Sequence, residues 1–162
     1  MPSDRIEKQA VLDAPLERVW QAVSDAGKFG EWFGVAFDGP FEAGREVTGR
    51  IAPTRVDREV AKLQEPHAGK PFRFRVETVE PPHRIAFAWH PFAIDPLADY
   101  SGEPMTHIVF ALHAEPDGTR VTITETGFDA IPASRREQAY AANEGGWTHQ
   151  MQLLEKFVVT PF

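Results

Sequence analysis

The chain has 162 residues, 42% of them hydrophobic, no Cys and a formal net charge of −7. That length suits one domain over residues 1–162 with a full core of its own; the missing Cys excludes disulfides and thiolate chemistry; and the acidic balance argues against nucleic acid as a partner. No apolar run approaches the roughly 20 residues that span a bilayer, and Met1–Arg5 lacks a signal pattern, so a cytoplasmic location is expected.

Arg5 to Leu12 alternates and predicts a first strand. A helix follows, with Asp13 or Ala14 at its cap, Pro15 in the first turn and Leu16, Val19, Trp20 and Val23 as its buried stripe; Ala26-Gly27-Lys28 is expected to end it. Lys28 to Phe33 predicts a second short helix. Val35 to Phe41 and Arg45 to Ile51 read as a strand pair joined at Glu42-Ala43-Gly44. Ala52 to Gly69, with weak periodicity and two prolines, reads as an irregular connection holding at most one short element.

Pro71 to Glu80 alternates with Phe74 and Val76 on one face, and Arg84 to His90 with Ile85, Phe87 and Trp89 on one face. Pro91 to Pro104 is a loop. Met105 to Glu115 and Arg120 to Gly127 form a hairpin across Pro116-Asp117-Gly118, Asp-Gly being a strong turn signal. A last helix is predicted from Pro132 to Thr160, roughly 40 Å long at 1.5 Å per residue. Its apolar spacing runs through Ala139, Asn143, Gly146/Trp147, Gln150/Met151 and Leu154. The order is one strand, two helices, six strands and a long helix, an α+β chain with an antiparallel sheet and helices gathered on one face.

Several of these stretches resemble a known family. Ala14-Pro15-Leu16-Glu17-Arg18-Val19-Trp20-Gln21-Ala22-Val23 is similar to the opening of the START-like, or Bet v 1-like, superfamily, and Phe87-Ala88-Trp89-His90-Pro91 to its fifth strand. Thr122 to Phe128, followed by Asn143-Glu144-Gly145-Gly146-Trp147, resembles the branch related to the C-terminal domain of the Hsp90 ATPase activator Aha1. The resemblance implies the helix-grip fold, in which a curved antiparallel sheet of about seven strands wraps a long C-terminal helix. It implies ligands of the kind lipid and hormone carriers or polyketide cyclases take. The activator also has a separate N-terminal domain that carries much of its Hsp90 contact. This chain leaves no room for one, so Hsp90 is not the expected partner.

Residue chemistry narrows the candidates. There is no nucleophile motif, no phosphate loop and no metal-ligand spacing, so neither cofactor nor metal is expected. Glu125 shares strand parity with Val121 and Ile123 and points inward. It is either ion-paired or a cavity carboxylate able to anchor a ligand or act as acid or base. His90, at a strand end, either binds the Pro-flanked loop or donates protons at a cavity mouth. Gly145-Gly146 either lets a strand approach or makes room beneath the helix. The expected ligand-lining set is Trp32, Phe74, Phe87, Trp89, Phe110, Glu125, Asn143, Gly146, Trp147, Gln150 and Met151, around an apolar or lipid-like small molecule. The alternatives are a cyclase/aromatase- or hydrolase-type enzyme using Glu125 or His90, and a co-chaperone-like interaction module. A homodimer is compatible with base rates for soluble proteins.

Overall fold

Alternating side chains along seven segments build one antiparallel sheet in the computed structural model, which describes residues 4–91 and 99–159. The strands are β1 (Arg5–Leu12), β2 (Val35–Phe37), β3 (Glu46–Ile51), β4 (Pro71–Glu80), β5 (Arg84–Trp89), β6 (Thr106–Glu115) and β7 (Gly118–Thr126). They lie in the order β1-β7-β6-β5-β4-β3-β2. Four helices, α1 (Leu16–Ser24), α2 (Ala26–Phe33), α3 (Arg58–Gln64) and α4 (Ala133–Val159), complete the fold, with 3-10 turns at 65–67 and 128–130. The curved sheet and long C-terminal helix make this α+β helix-grip architecture. The tip of the loop expected over Pro91 to Pro104 and the helix end expected at Thr160 fall on residues 92–98 and 160, outside the described residues.

The boundary between the first two helices differs from expectation. Pro15 itself is the cap of α1; its carbonyl accepts from the backbone N–H of Arg18 and Val19. Ala26-Gly27-Lys28 opens α2 instead of closing α1, because the Asp25 side chain accepts from Lys28 N and caps the new helix. Gly34 ends α2 at φ 97°, a conformation that favours glycine. Gly30 lets α2 press on β2: a Cβ there would lie 2.0 Å from the Val35 carbonyl oxygen.

β2 is shorter than expected. Strand pairing ends at Phe37↔Gly49; the Asp38 N–H still donates to the Thr48 carbonyl at 2.9 Å, but the Thr48 N–H turns to the Asp38 carboxylate. The irregular connection holds α3 and the 3-10 turn at 65–67, more than the one short element expected there. Helix α3 buries none of its residues, and Leu63 is 74% exposed. Its start is held by Asp57, which accepts from the N–H groups of Glu59 and Val60 and from Lys156 of α4.

The Lys156 hydrogen bond, helped by the Val60 N–H, holds the Asp57 carboxyl below its ordinary value. A depressed folded-state value means the contact stabilises above the ordinary carboxylate range and is lost as pH falls through the lower folded-state value. Residues of α3 should therefore show amide shifts that move together in that acid window. The Asp57→Asn variant should lack this transition and, at neutral pH, be cut faster by trypsin after Arg58 and Lys62. Equal cleavage of variant and parent would show that α3 is held by other contacts.

The core lies between the concave face of the sheet and helices α1, α2 and α4. Phe29 is its hub: fully buried on α2, its ring meets those of Trp32, Phe33, Phe37, Phe41, Phe74, Phe87 and Phe110 at centroid distances from 4.7 to 6.0 Å. These separations fall within the favoured range for stacked, tilted and edge-on aromatic pairs.

Candidate functional site

Along β7 burial alternates residue by residue, and Glu125 occupies a buried position between the facing residues Ile6 of β1 and Ile108 of β6. The regular ladder thus carries a carboxylate into the interior, where it is 0% exposed. Buried carboxylates need compensating donors, and four side chains supply them. Trp89 Nε1, at the end of β5, donates to Oε2 at 2.7 Å. Thr106 Oγ1, at the start of β6, donates to the same oxygen at 2.5 Å. Trp147 Nε1 of α4 donates to Oε1 at 2.8 Å. Asn143 Nδ2, one turn earlier on α4, reaches Oε1 and Oε2 at 3.0 and 3.1 Å.

Strand register explains the convergence. Trp89 pairs with Thr106 across β5 and β6, and β7 runs beside β6 with Glu125 opposite Ile108. The three residues therefore sit on neighbouring strands, at or next to the strand ends, within reach of α4. On α4, Asn143 and Trp147 are four residues apart and share a face. A carboxylate offers about four lone-pair sites, so both oxygens are fully engaged as acceptors. A group so engaged fixes the helix to three strands, and substrate could reach it only by displacing one of its donors.

Beside this hub, α4 stands off from the core. Its fully buried positions jump from Ala139 to Trp147, and the intervening Asn143 and Gly146 are half-buried. The space left is a pocket of about 90 Å³, lined by Phe33, Trp89, Asn143, Gly146, Trp147 and Gln150. Trp89 and Trp147 form two of its walls with centroids 5.9 Å apart, and Phe33 lies 6.2 Å from Trp147. A Cβ on Gly146 would meet nothing within 4 Å, so close approach of a strand does not explain this glycine. Gln150 Nε2 donates to the Phe33 carbonyl at 3.4 Å, while Gln150 Oε1 is buried without a partner.

Of the residues singled out from sequence, Trp89, Glu125, Asn143, Gly146, Trp147 and Gln150 come together here. Trp32, Phe74, Phe87, Phe110 and Met151 are core residues and do not line this pocket. Trp32 also spends its indole N–H on the Ala22 carbonyl at 2.9 Å. His90 takes the loop role: its Nε2 is 3.1 Å from the Glu103 carbonyl, and Arg135 of α4 binds the same loop through the Glu103 carboxylate and the Pro91 carbonyl. Among the described residues no hydrogen bond joins His90 to Glu125, so a shared acid–base pair is not formed. One position at this site escaped the sequence reading: Thr106 is expected only in a strand, and its meeting with Glu125 depends on long-range pairing that a single chain does not spell out.

Substituting Gly146 separates the pocket from the helix. Gly146→Ala should stabilise the protein by about 0.5–1 kcal/mol, since Ala is the better helix former and its methyl enters open space. Chemical denaturation measures this, and a loss of stability would mean that α4 packs more tightly than described.

A sheet gripping a long helix, with a buried polar hub and a small pocket beside it, defines a helix-grip protein of the START-like class. The chain belongs to the family described as activator of Hsp90 ATPase homolog 1-like protein, whose model matches residues 13–158. Solved structures agree on the fold. A protein from Mesorhizobium loti aligns with TM-score 0.70 at 21% identity, over 98% of this chain and 99% of its own. One from Arthrobacter aurescens aligns with TM-score 0.72 at 19% identity, over 98% and 87%. One from Chromobacterium violaceum gives 0.67 at 20%, over 98% and 99%. No curated protein matches the chain in sequence at a significant level. Among the described residues no helix is long and apolar enough to cross a membrane, and no cluster of His, Cys, Asp or Glu could hold a metal ion.

Proposed function

We propose that the protein binds a small, mainly apolar molecule between the sheet and α4, with no chemistry performed by Glu125. One observation carries the reading: beside Gly146, where an added Cβ would meet nothing, lies a pocket walled by the Trp89 and Trp147 indoles and Phe33, with Asn143 and Gln150 completing its lining. Small-molecule sites combine apolar walls with a few placed polar groups, and this pocket has that composition. The Glu125 carboxylate is engaged by Trp89, Thr106, Asn143 and Trp147, which supports a scaffold role over acid–base catalysis. An interaction module of co-chaperone type would present a contiguous apolar patch. The large exposed apolar side chains among the described residues, Val11, Leu63 and Val159, belong to three different elements, β1, α3 and α4.

The test is mass spectrometry of an organic extract of the purified protein, run beside a Gly146→Leu variant whose side chain would occupy the pocket. A small molecule recovered with the parent and absent from the variant supports the reading. The same compound recovered equally from both would place binding elsewhere.

A further inference from the structure

We propose that the first half of α4, residues 133–144, opens as a unit while the second half stays docked, with the Gly145-Gly146 pair as the boundary. The opening lifts one wall of the pocket from an otherwise folded protein. Its use as the way in for a small molecule rests on the function proposed above; the opening itself does not.

Burial divides the helix first. Trp147, Met151, Leu153, Leu154, Phe157 and Val158 are buried in the second half, and Ala139 alone in the first. Tyr140 adds a half-buried ring, 5.1 Å from that of Phe128. The hydrophobic term scales with the apolar area covered, so it docks the second half far more strongly than the first.

Polar contacts supply most of what remains. Arg135 binds the Glu103 carboxylate and the Pro91 carbonyl. The Tyr140 hydroxyl donates to the Arg5 carbonyl at 2.9 Å, and Lys8 meets Glu144 at 2.6 Å. Water takes over such groups once they part, so each contributes little net stability. Few buried apolar contacts and many replaceable polar ones mark a segment that unfolds locally.

The Glu125 hub tolerates the departure. Trp147 holds Oε1 at 2.8 Å, and Trp89 and Thr106 hold Oε2 at 2.7 and 2.5 Å. Asn143 shares its amide between the same two oxygens at 3.0 and 3.1 Å, the longest bonds of the set. Its release leaves both oxygens with a donor, so no buried charge is stranded. The second half meanwhile keeps its own grip on the carboxylate through Trp147.

The glycines set the limit. A Cβ at Gly145 or Gly146 would meet nothing within 4 Å, and neither has a positive φ, so packing and backbone geometry leave both unexplained. Glycine is the poorest helix former short of proline, and adjacent small residues are where helices break. Unwinding that starts at Ala133 runs through this weak point and stops at buried, bonded Trp147. Asn143 then leaves the pocket and Gly146 is loosened, while Phe33, Trp89, Trp147 and Gln150 stay in place.

Native-state hydrogen exchange of the full chain, read amide by amide, tests this. Amides from 137 to 144 should exchange at least about tenfold faster than those from 151 to 158, after correction for intrinsic rates. Leu154→Ala separates the two halves, because Leu154 remains buried when the first half opens. It should speed exchange over 151–158 by at least about thirtyfold, the usual effect of such a cavity, and leave 137–144 unchanged. Val158→Ala, a smaller deletion at an equally buried position, makes the same comparison should Leu154→Ala not fold. Equal protection along α4 in the parent, or equal speeding of both segments in the variant, overturns the opening and leaves the small-molecule reading standing. An organic extract of the parent that holds no small molecule overturns the use as an entrance and leaves the opening standing.

Discussion

Replacing Glu125 by Ala should destabilise the protein by about 4 kcal/mol or more. Removing one partner from a buried charged network typically costs about 3–5 kcal/mol, because the groups left behind stay buried without partners. Here Trp89, Thr106, Asn143 and Trp147 all lose their acceptor. Domains of this kind have roughly 5–15 kcal/mol of stability in total, so the variant should sit near its unfolding transition. Glu125→Gln should cost less, about 2–3 kcal/mol, since it keeps one carbonyl acceptor but turns a new amide donor toward existing donors. Urea denaturation of both variants reads the order directly. A reactive carboxyl kept for chemistry at the expense of stability predicts the opposite, since substitutions at such sites are often neutral or stabilising.

Phe29→Ala should cost about 3–5 kcal/mol, the usual range for deleting a buried aromatic ring. The position is severe because one ring touches seven others drawn from α2, the β2–β3 connection and strands β2, β4, β5 and β6. No single neighbour can close the cavity. Phe29→Leu, which retains much of the volume, should lose only about 1–2 kcal/mol. Denaturation midpoints measure both. Near-equal losses would show that ring geometry at this site matters more than filled space.

How far these features could be read from the chain depends on the range of the interaction behind them. Strand parity is local, and it places Glu125 inward beside Val121 and Ile123, as the burial pattern of β7 has it. Helical spacing is local too, and it groups Asn143, Gly146, Trp147 and Gln150 on one side of α4. The donors from Trp89 and Thr106 were not legible, because their meeting with Glu125 requires the register of three strands. The helix α3 was less legible for a different reason: none of its residues is fully buried and Val60 is only half-buried against the core, so its amphipathic period is weak, and the Asp57 cap is its clearest signal. The division of the aromatic residues between core and pocket was equally out of reach. Phe74, Phe87 and Phe110 share the apolar character of Phe33, and only the packing of α2 against the sheet separates their roles.

The most direct test of a ligand site beside the Glu125 hub follows the four tryptophan indole N–H resonances by NMR while xenon, which binds in small apolar cavities, is dissolved. Trp89 and Trp147 line the pocket, whereas Trp20 and Trp32 lie within the buried core. The Trp89 and Trp147 signals should shift together and saturate, with those of Trp20 and Trp32 nearly still. Four unmoved signals, or movement confined to Trp20 and Trp32, would contradict a site between the sheet and α4.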